Sequence, residues 1–186
     1  MEDVVVKKPK EAKLPGVEDL DPRETQEVLR RLWNRGGKVG EAVLREIEQY
    51  LRSVEVEEVA ERVFSDLDLL TREDLWDRSG KTSRGYNHPA DVAWEMVEEV
   101  IRPYLGEVDR YWRSGMREEA FRCCLGLLIG VYDFQMESDS SFKEWAQDDP
   151  HQAFCWVRDE WTRKVRDQGL TDQLESQLSE RCPEWA

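Results

Sequence analysis

The stretch from Asp77 to Tyr86, DRSGKTSRGY, carries the residues of this sequence that come nearest to a nucleotide-binding motif. A phosphate-binding loop ends in Gly-Lys-Thr or Gly-Lys-Ser, and its backbone N–H groups surround phosphate oxygens between a strand and a helix. Gly80-Lys81-Thr82 supplies that ending, but Leu75 stands where the first glycine belongs, and the preceding segment has a helical pattern. The stretch is therefore predicted to connect helices rather than to bind a nucleotide.

The same stretch is a candidate binding surface, because it concentrates basic side chains within an acidic chain. Arginine and lysine bind the carboxylate or phosphate groups of a partner, and loops often carry binding residues. In an alternative arrangement, Arg78 and Arg84 pair with neighbouring acidic helices while Tyr86 packs on the body of the protein. The candidate residues of this stretch are Arg78, Lys81, Arg84, Tyr86 and His88.

Eight tryptophans are more than a domain of this size can enclose completely. Tryptophan is favoured where one edge of the ring is packed and the other meets water, as happens at protein interfaces. Trp76, Trp145 and Trp156 flank irregular segments, so they are predicted to line a recognition groove. Packing in the core is the alternative for the same three side chains.

Histidine and cysteine do not form a known catalytic or metal-binding motif here. His151 and Cys155 are four residues apart, which is one helical turn and permits a nucleophile with its base. The four cysteines lack the paired spacing of a zinc site, so no metal and no cofactor is expected. A small-molecule hydrolase or transferase with a site between helices, near His88 or His151, is an alternative function.

The charge of the chain limits its partners. Its 186 residues include 41 acidic and 27 basic side chains, for a formal net charge of −14. Binding to nucleic acid or to an anionic membrane requires clustered lysine and arginine, so neither is expected as a partner. The same charge supports a further alternative, an acidic surface that imitates nucleic acid.

The cellular compartment is predicted from what the sequence lacks. The cysteines at positions 123, 124, 155 and 182 do not form a disulfide framework, and the N-terminal residues have no signal-peptide pattern. No apolar run approaches the roughly 18 residues that a membrane span requires. A cytoplasmic location is expected.

The elements that position the candidate residues are predicted to be helices. Apolar residues recur at helical spacing, and no alternating strand pattern longer than Val4–Val6 appears. We therefore predict an all-α protein, an irregular multi-helix bundle of antiparallel helical hairpins. Residues 104–134 have the size and the small-residue spacing of one TPR-like or HEAT-like hairpin, although no repeat of fixed period is present.

Residues 1–20 are predicted to be a flexible N-terminal tail, and residues 21–186 a single α-helical domain. An interior proline removes a helical hydrogen bond, so a kink or a break between two helices should precede Pro103. The segment that begins at Arg117 is apolar nearly all round, which predicts the central helix of the bundle.

Three runs carry a resemblance to known proteins: DLWDRSGKTSRGYNHPADVAWEM, GMREEAFRCCLGLLIGVYDF and SDSSFKEWAQDDP. They resemble a set of uncharacterised prokaryotic helical proteins, over about residues 55–163. They are also similar, more loosely, to helical regions that accompany SWIM-type zinc fingers. The C-x-C and C-x-H ligands of the finger itself are absent from this chain, so the resemblance implies a helical fold and transfers no zinc ligand or catalytic residue.

The leading hypothesis is a non-enzymatic interaction module, a scaffold or adaptor that holds a protein partner. No complete catalytic set is evident in the sequence, whereas the segment from Asp77 to His88 is rich in potential contacts. Loop and neighbouring aromatic residues together are expected to form the binding site.

Overall fold

The computed structural model describes residue 16, residues 19–82 and residues 85–185. Over these residues it contains eight α helices, one short 3-10 helix and a two-stranded sheet, which confirms the predicted all-α fold. The chain divides into two compact units, residues 1–50 and residues 51–186, which we describe separately. Most of the predicted tail, residues 1–20, lies outside the described residues, and the single domain assigned to residues 21–186 stays a prediction.

The first unit is built from two amphipathic helices, α1 (Pro22–Asn34) and α2 (Gly37–Arg52). Helix α1 begins with a capping box, in which the Asp21 carboxylate accepts a hydrogen bond from the Glu24 backbone at 2.8 Å and the Glu24 carboxylate accepts one from the Asp21 backbone at 3.0 Å. Between the helices, Gly36 has a φ of 63°, a left-handed conformation that ends α1. Within these two helices, Gly40 is the only buried residue.

The second unit is a helical bundle around one apolar helix, α6 (Arg117–Glu137). Helix α6 contacts α3, α5, α7 and α8, and its buried residues lie on nearly all of its sides, so the predicted central helix is confirmed. The surrounding helices are α3 (Val56–Asp68), α5 (Pro89–Arg113), α7 (Asp149–Lys164) and α8 (Gln168–Arg181). Among the described residues, no helix is both long enough and apolar enough to span a membrane.

Two glycines set the distance between α3 and α6. A Cβ atom added at Gly126 would lie 2.6 Å from the carbonyl oxygen of Val56, and one at Gly130 would lie 2.5 Å from that of Ala60. Residues four apart lie on one face of a helix, so the two glycines form a single contact surface. Helix α3 therefore approaches α6 as closely as its backbone allows.

Helix α5 runs through Pro103 without a break, so of the two predicted outcomes, a kink or a break between two helices, the break is wrong. Proline removes one backbone hydrogen bond, which would leave the carbonyl group of Glu99 without a helical partner. Both Pro103 and Glu99 are exposed. Water can therefore satisfy the carbonyl, while the buried residues on the opposite face of α5 hold the helix together.

The stretch that contains Gly-Lys-Thr forms a small β-hairpin, where the sequence predicted a connector without strands. Short helix α4 (Arg72–Arg78) leads into strand β1 (Gly80–Thr82), which pairs antiparallel with β2 (Gly85–Asn87). Each strand has only three residues and begins with a glycine of positive φ, so no alternating pattern marks it in the sequence. Because Gly-Lys-Thr lies within a strand and does not lead into a helix, it does not have the geometry of a phosphate-binding loop.

Candidate functional site

Two of the predicted recognition residues, Trp76 and Trp145, come together at the surface. Their ring centroids are 4.8 Å apart, and their planes are inclined at 74° in an edge-to-face contact. Trp76 lies on α4, and Trp145 follows the 3-10 helix Ser141–Glu144. The two side chains remain 46% and 40% exposed, respectively. We call them the tryptophan pair.

Helix α4 holds Trp76 in place through its cap and one buried neighbour. The hydroxyl of Thr71 accepts a hydrogen bond from the Asp74 backbone at 3.1 Å, which caps the first turn. Leu75 is completely buried and anchors the helix. At the other end, the hydroxyl of Ser79 donates to the carbonyl of Leu75 at 2.6 Å. Trp76 therefore projects from a short helix that is fixed at both ends.

Serine hydrogen bonds fix the segment that carries Trp145. The hydroxyl of Ser138 donates to the carboxylate of Asp68, and the hydroxyl of Ser140 donates to the carbonyl of Leu70 at 3.3 Å. Asp68 is the last residue of α3, and Leu70 lies between α3 and α4. The same residues therefore connect the segment of Trp145 to the segment of Trp76.

Lys143 and Phe142 add a second anchor below Trp145. The Lys143 ammonium group donates to the carbonyls of Gln135 and Ser138, at 2.6 and 2.7 Å, near the end of α6 where carbonyl groups lack helical partners. Phe142 is completely buried. The bundle holds Phe142 and Lys143, so the backbone that leads into Trp145 is fixed.

Exposed carboxylates lie beside the tryptophan pair. Glu73 and Asp77 are on the same short helix as Trp76, with Glu73 three residues before it and hence on the same side of the helix. Glu144 directly precedes Trp145 and is also exposed. An aromatic face with acidic neighbours attracts cations, both through its π electrons and through the carboxylates.

Arg78 pairs with a neighbouring helix, as the alternative arrangement required. Its Nη1 donates to Oε2 of Glu99 on α5 at 2.7 Å, and this hydrogen bond raises the pKa of Arg78. Its backbone carbonyl accepts a hydrogen bond from Nδ2 of Asn87 at 3.2 Å. Arg78 therefore ties the β-hairpin to α5, and its charge already has a carboxylate partner.

The other candidates of the stretch have different surroundings. Lys81 and Tyr86 face each other in the hairpin register and are exposed, and the 68% exposure of Tyr86 contradicts its packing on the body. His88 is the cap of α5, where Nδ1 accepts a hydrogen bond from the Ala90 backbone at 3.3 Å. Arg84 lies outside the described residues, so its role stays a prediction.

Trp156 does not join the tryptophan pair. It lies on α7 and meets Trp94 of α5 with ring centroids 6.2 Å apart. Both are partly buried and pack against the core. The alternative of core packing therefore describes Trp156, whereas Trp76 and Trp145 are exposed at the surface.

His151 and Cys155 lie on one side of α7, as their spacing predicts. Nε2 of His151 is 3.8 Å from Sγ of Cys155, and its ring also meets the edge of Trp185, with centroids 5.1 Å apart. Among the described residues, no three histidine, cysteine, aspartate or glutamate side chains are grouped so that they could hold a metal ion.

Sequence reasoning did not identify the polar groove beside α3 and α5. The groove has a volume of about 470 Å³ and contains a hydrogen bond of 2.6 Å from the Tyr104 hydroxyl to Asp66. Burial and this bond raise the pKa of Tyr104. Residues 66 and 104 are far apart in the chain, so no local motif could have marked the site. Neither His88 nor His151 lines this groove.

No protein-family model, curated protein or solved structure matches this chain. The resemblance to uncharacterised prokaryotic helical proteins and to SWIM-associated regions therefore stays a prediction.

Proposed function

We propose that this chain is a non-enzymatic interaction module, a scaffold or adaptor that binds a protein partner at the tryptophan pair. The observation that supports the proposal is the exposure of two tryptophans in mutual contact, Trp76 and Trp145. Tryptophan is enriched among the residues that dominate the energy of protein interfaces. An exposed aromatic pair of this kind is costly in water and gains free energy when a partner covers it.

The rigidity of the site supports the same function. Binding surfaces that are already ordered lose less conformational entropy when a partner docks. Hydrogen bonds from Ser138, Ser140 and Lys143 order the segment of Trp145, and Thr71 caps the helix of Trp76. The pair is therefore available in one arrangement before binding.

The partner is expected to present a basic and apolar segment. Exposed Glu73, Asp77 and Glu144 each lie within three residues of Trp76 or Trp145 along the chain, and residues 51–186 carry 30 acidic against 17 basic side chains. A lysine or arginine of the partner would meet both the aromatic face and a carboxylate. We propose a cytoplasmic setting, which agrees with the four free thiols of the chain.

The experiment compares partners captured from cells of the source organism by the wild-type chain, by a Trp76→Ala/Trp145→Ala variant and by a Met136→Ala variant. Met136 is the matched control, because it is 39% exposed, close to the 40% of Trp145, and lies in the second unit outside the tryptophan pair. Quantitative mass spectrometry should find proteins that the wild type and the control retain and the double variant loses. For a partner identified in this way, the affinity should fall about a hundredfold, in keeping with two interface tryptophans.

Folding of the double variant is checked by far-ultraviolet circular dichroism and by its melting temperature. Both substitutions remove partly exposed rings, so the helical bundle should stay intact. Equal capture by the double variant and the wild type, with both chains folded, would show that the tryptophan pair is not the binding site.

A further inference from the structure

Helices α1 and α2 are amphipathic, and many of the hydrophobic residues on their apolar sides are exposed. Six large hydrophobic residues of these helices are each between 41% and 48% exposed: Val28, Leu29, Trp33, Val39, Leu44 and Ile47. Isolated helices of 13 and 16 residues are marginal in water, and most helical stability in proteins comes from packing of the apolar face. The two helices therefore require a surface that covers these residues.

The charge of the same segment differs from that of the rest of the chain. Residues 21–50 carry six acidic and six basic side chains, so they are neutral, whereas residues 51–186 have 13 more acidic than basic side chains. A neutral amphipathic segment does not repel a copy of itself. Strongly basic or strongly acidic partners gain no net electrostatic attraction from it.

Charge is also ordered along α1. The acidic residues Asp21, Glu24 and Glu27 come first, and the basic residues Arg30, Arg31 and Arg35 follow, with Arg23 as the one basic residue in the first half. Glu27 pairs with Arg30 and Arg31 of its own helix, so the charges left to meet an antiparallel second copy are Glu24 near the start of α1 and Arg35 just after its end. The helix is therefore complementary to itself through a twofold axis.

We propose that residues 21–50 form a self-association surface, which a second copy of this chain covers through antiparallel contact of the two α1 helices. Leu29 lies near the midpoint of α1 and would lie close to the twofold axis. Glu24 and Arg35 are eleven residues apart, which is three turns of helix. Their directions around the helix axis therefore differ by only about 20°, so both flank the apolar stripe on the same side. Glu24 of each copy then faces Arg35 of the other.

The first experiment measures the dimer dissociation constant of the full chain by sedimentation equilibrium. Leu29→Gln should raise that constant about a hundredfold, because each dimer loses an apolar contact from both copies. Leu69→Gln is the matched control, since Leu69 is an exposed leucine of the second unit, and it should leave the constant unchanged. Circular dichroism verifies that both variants keep the helical content of the wild type.

The second experiment tests the antiparallel arrangement by charge reversal. Glu24→Lys and Arg35→Glu should each raise the dissociation constant about tenfold, because each homodimer then contains two pairs of like charges. An equimolar mixture of the two variants should form heterodimers with nearly wild-type affinity, since every pair is again of opposite sign. Glu24 also belongs to the capping box of α1, so the Glu24→Lys homodimer loses two caps and the heterodimer loses one. Arg35→Glu leaves the capping box intact, and its homodimer therefore reports the charge effect alone.

A wild-type chain that stays monomeric at every concentration overturns the proposal, and so does a monomer that binds vesicles of anionic phospholipid through the same residues. A dimer that Leu29→Gln leaves unchanged also overturns it. A mixture of the charge variants that remains monomeric overturns the antiparallel contact of α1. The outcomes are independent of the tryptophan pair, because neither Trp76 nor Trp145 is altered.

Discussion

Two helix pairs differ in whether their apolar side chains are buried: those between α3 and α6 are, and many of those on α1 and α2 are not. Helices α1, α2 and α3 each carry an apolar stripe, and α6 is apolar on nearly all sides. Helix α3 buries its stripe against α6 at two glycines, whereas α1 and α2 leave theirs at the surface. Amphipathic spacing alone does not distinguish the two cases. The difference is what each stripe meets: the stripe of α3 meets Gly126 and Gly130 of α6, whereas six large hydrophobic residues of α1 and α2 remain between 41% and 48% exposed.

The largest expected effect comes from filling the contact between α3 and α6. Gly126→Ala and Gly130→Ala should each lower the free energy of unfolding by about 3 kcal/mol, because the new methyl group meets backbone that cannot move aside. Gly106→Ala is the matched control on α5, where an added Cβ meets nothing within 4 Å, and it should raise the stability by about 0.5–1 kcal/mol. Chemical denaturation of the three variants measures these changes. Equal effects in all three would contradict the role of the two glycines.

A smaller effect separates buried from exposed leucine in the two pairs. Leu67→Ala on α3 removes a completely buried side chain and should lower the free energy of unfolding by about 2 kcal/mol. In dilute solution, where no second copy covers α1, Leu29→Ala should cost less than about 1 kcal/mol. The measurement is denaturant unfolding at a protein concentration well below the dimer dissociation constant. A large loss for Leu29→Ala in that monomer would mean that its stripe is covered within a single chain.

The smallest expected effect is a pH dependence at α7. Burial raises the pKa of Asp149 to about 6, while the Lys164 hydrogen bond lowers the pKa of Asp109. Asp149 binds its proton more tightly in the folded state, so its contribution favours folding at pH 4 and is lost as the pH rises towards 6. Asp109 has the opposite sign, since its contribution is present at neutral pH and is lost as the pH falls below its usual pKa.

Melting temperatures of Asp149→Asn and Asp109→Asn between about pH 2 and pH 7 test both signs. Relative to the wild type, Asp149→Asn should gain stability as the pH rises, and Asp109→Asn should lose it. Parallel curves for the wild type and Asp149→Asn would show that the environment of this carboxyl group does not change on folding.

Local sequence patterns predicted the helices well, because each amphipathic stripe depends on residues within two or three turns. The capping box at Asp21 and the apolar run after Arg117 marked α1 and α6 without tertiary information. The β-hairpin was missed because its strands are three residues long. Of the kink or break predicted at Pro103, the break was wrong because packing of α5 against the bundle outweighs the loss of one hydrogen bond.

The candidate site was predictable only residue by residue. Trp76 and Trp145 were selected because they flank irregular segments, yet nothing local predicts that residues 69 positions apart meet edge to face. Likewise, the sequence shows the small-residue spacing of residues 104–134, whereas the contact of Gly126 with Val56 and Val59 on α3 depends on the tertiary arrangement. Contacts between distant segments are the part of this molecule that one sequence does not reveal.

The four thiols of the chain differ in their access to reagents. Cys123, Cys124 and Cys182 are buried, and burial raises the pKa of each of them, so they stay protonated and shielded in the native protein. Cys155 is partly exposed beside His151. A maleimide dye would therefore attach at one position of the unmodified chain, and the delayed labelling of the other three sulfurs would time the opening of the bundle.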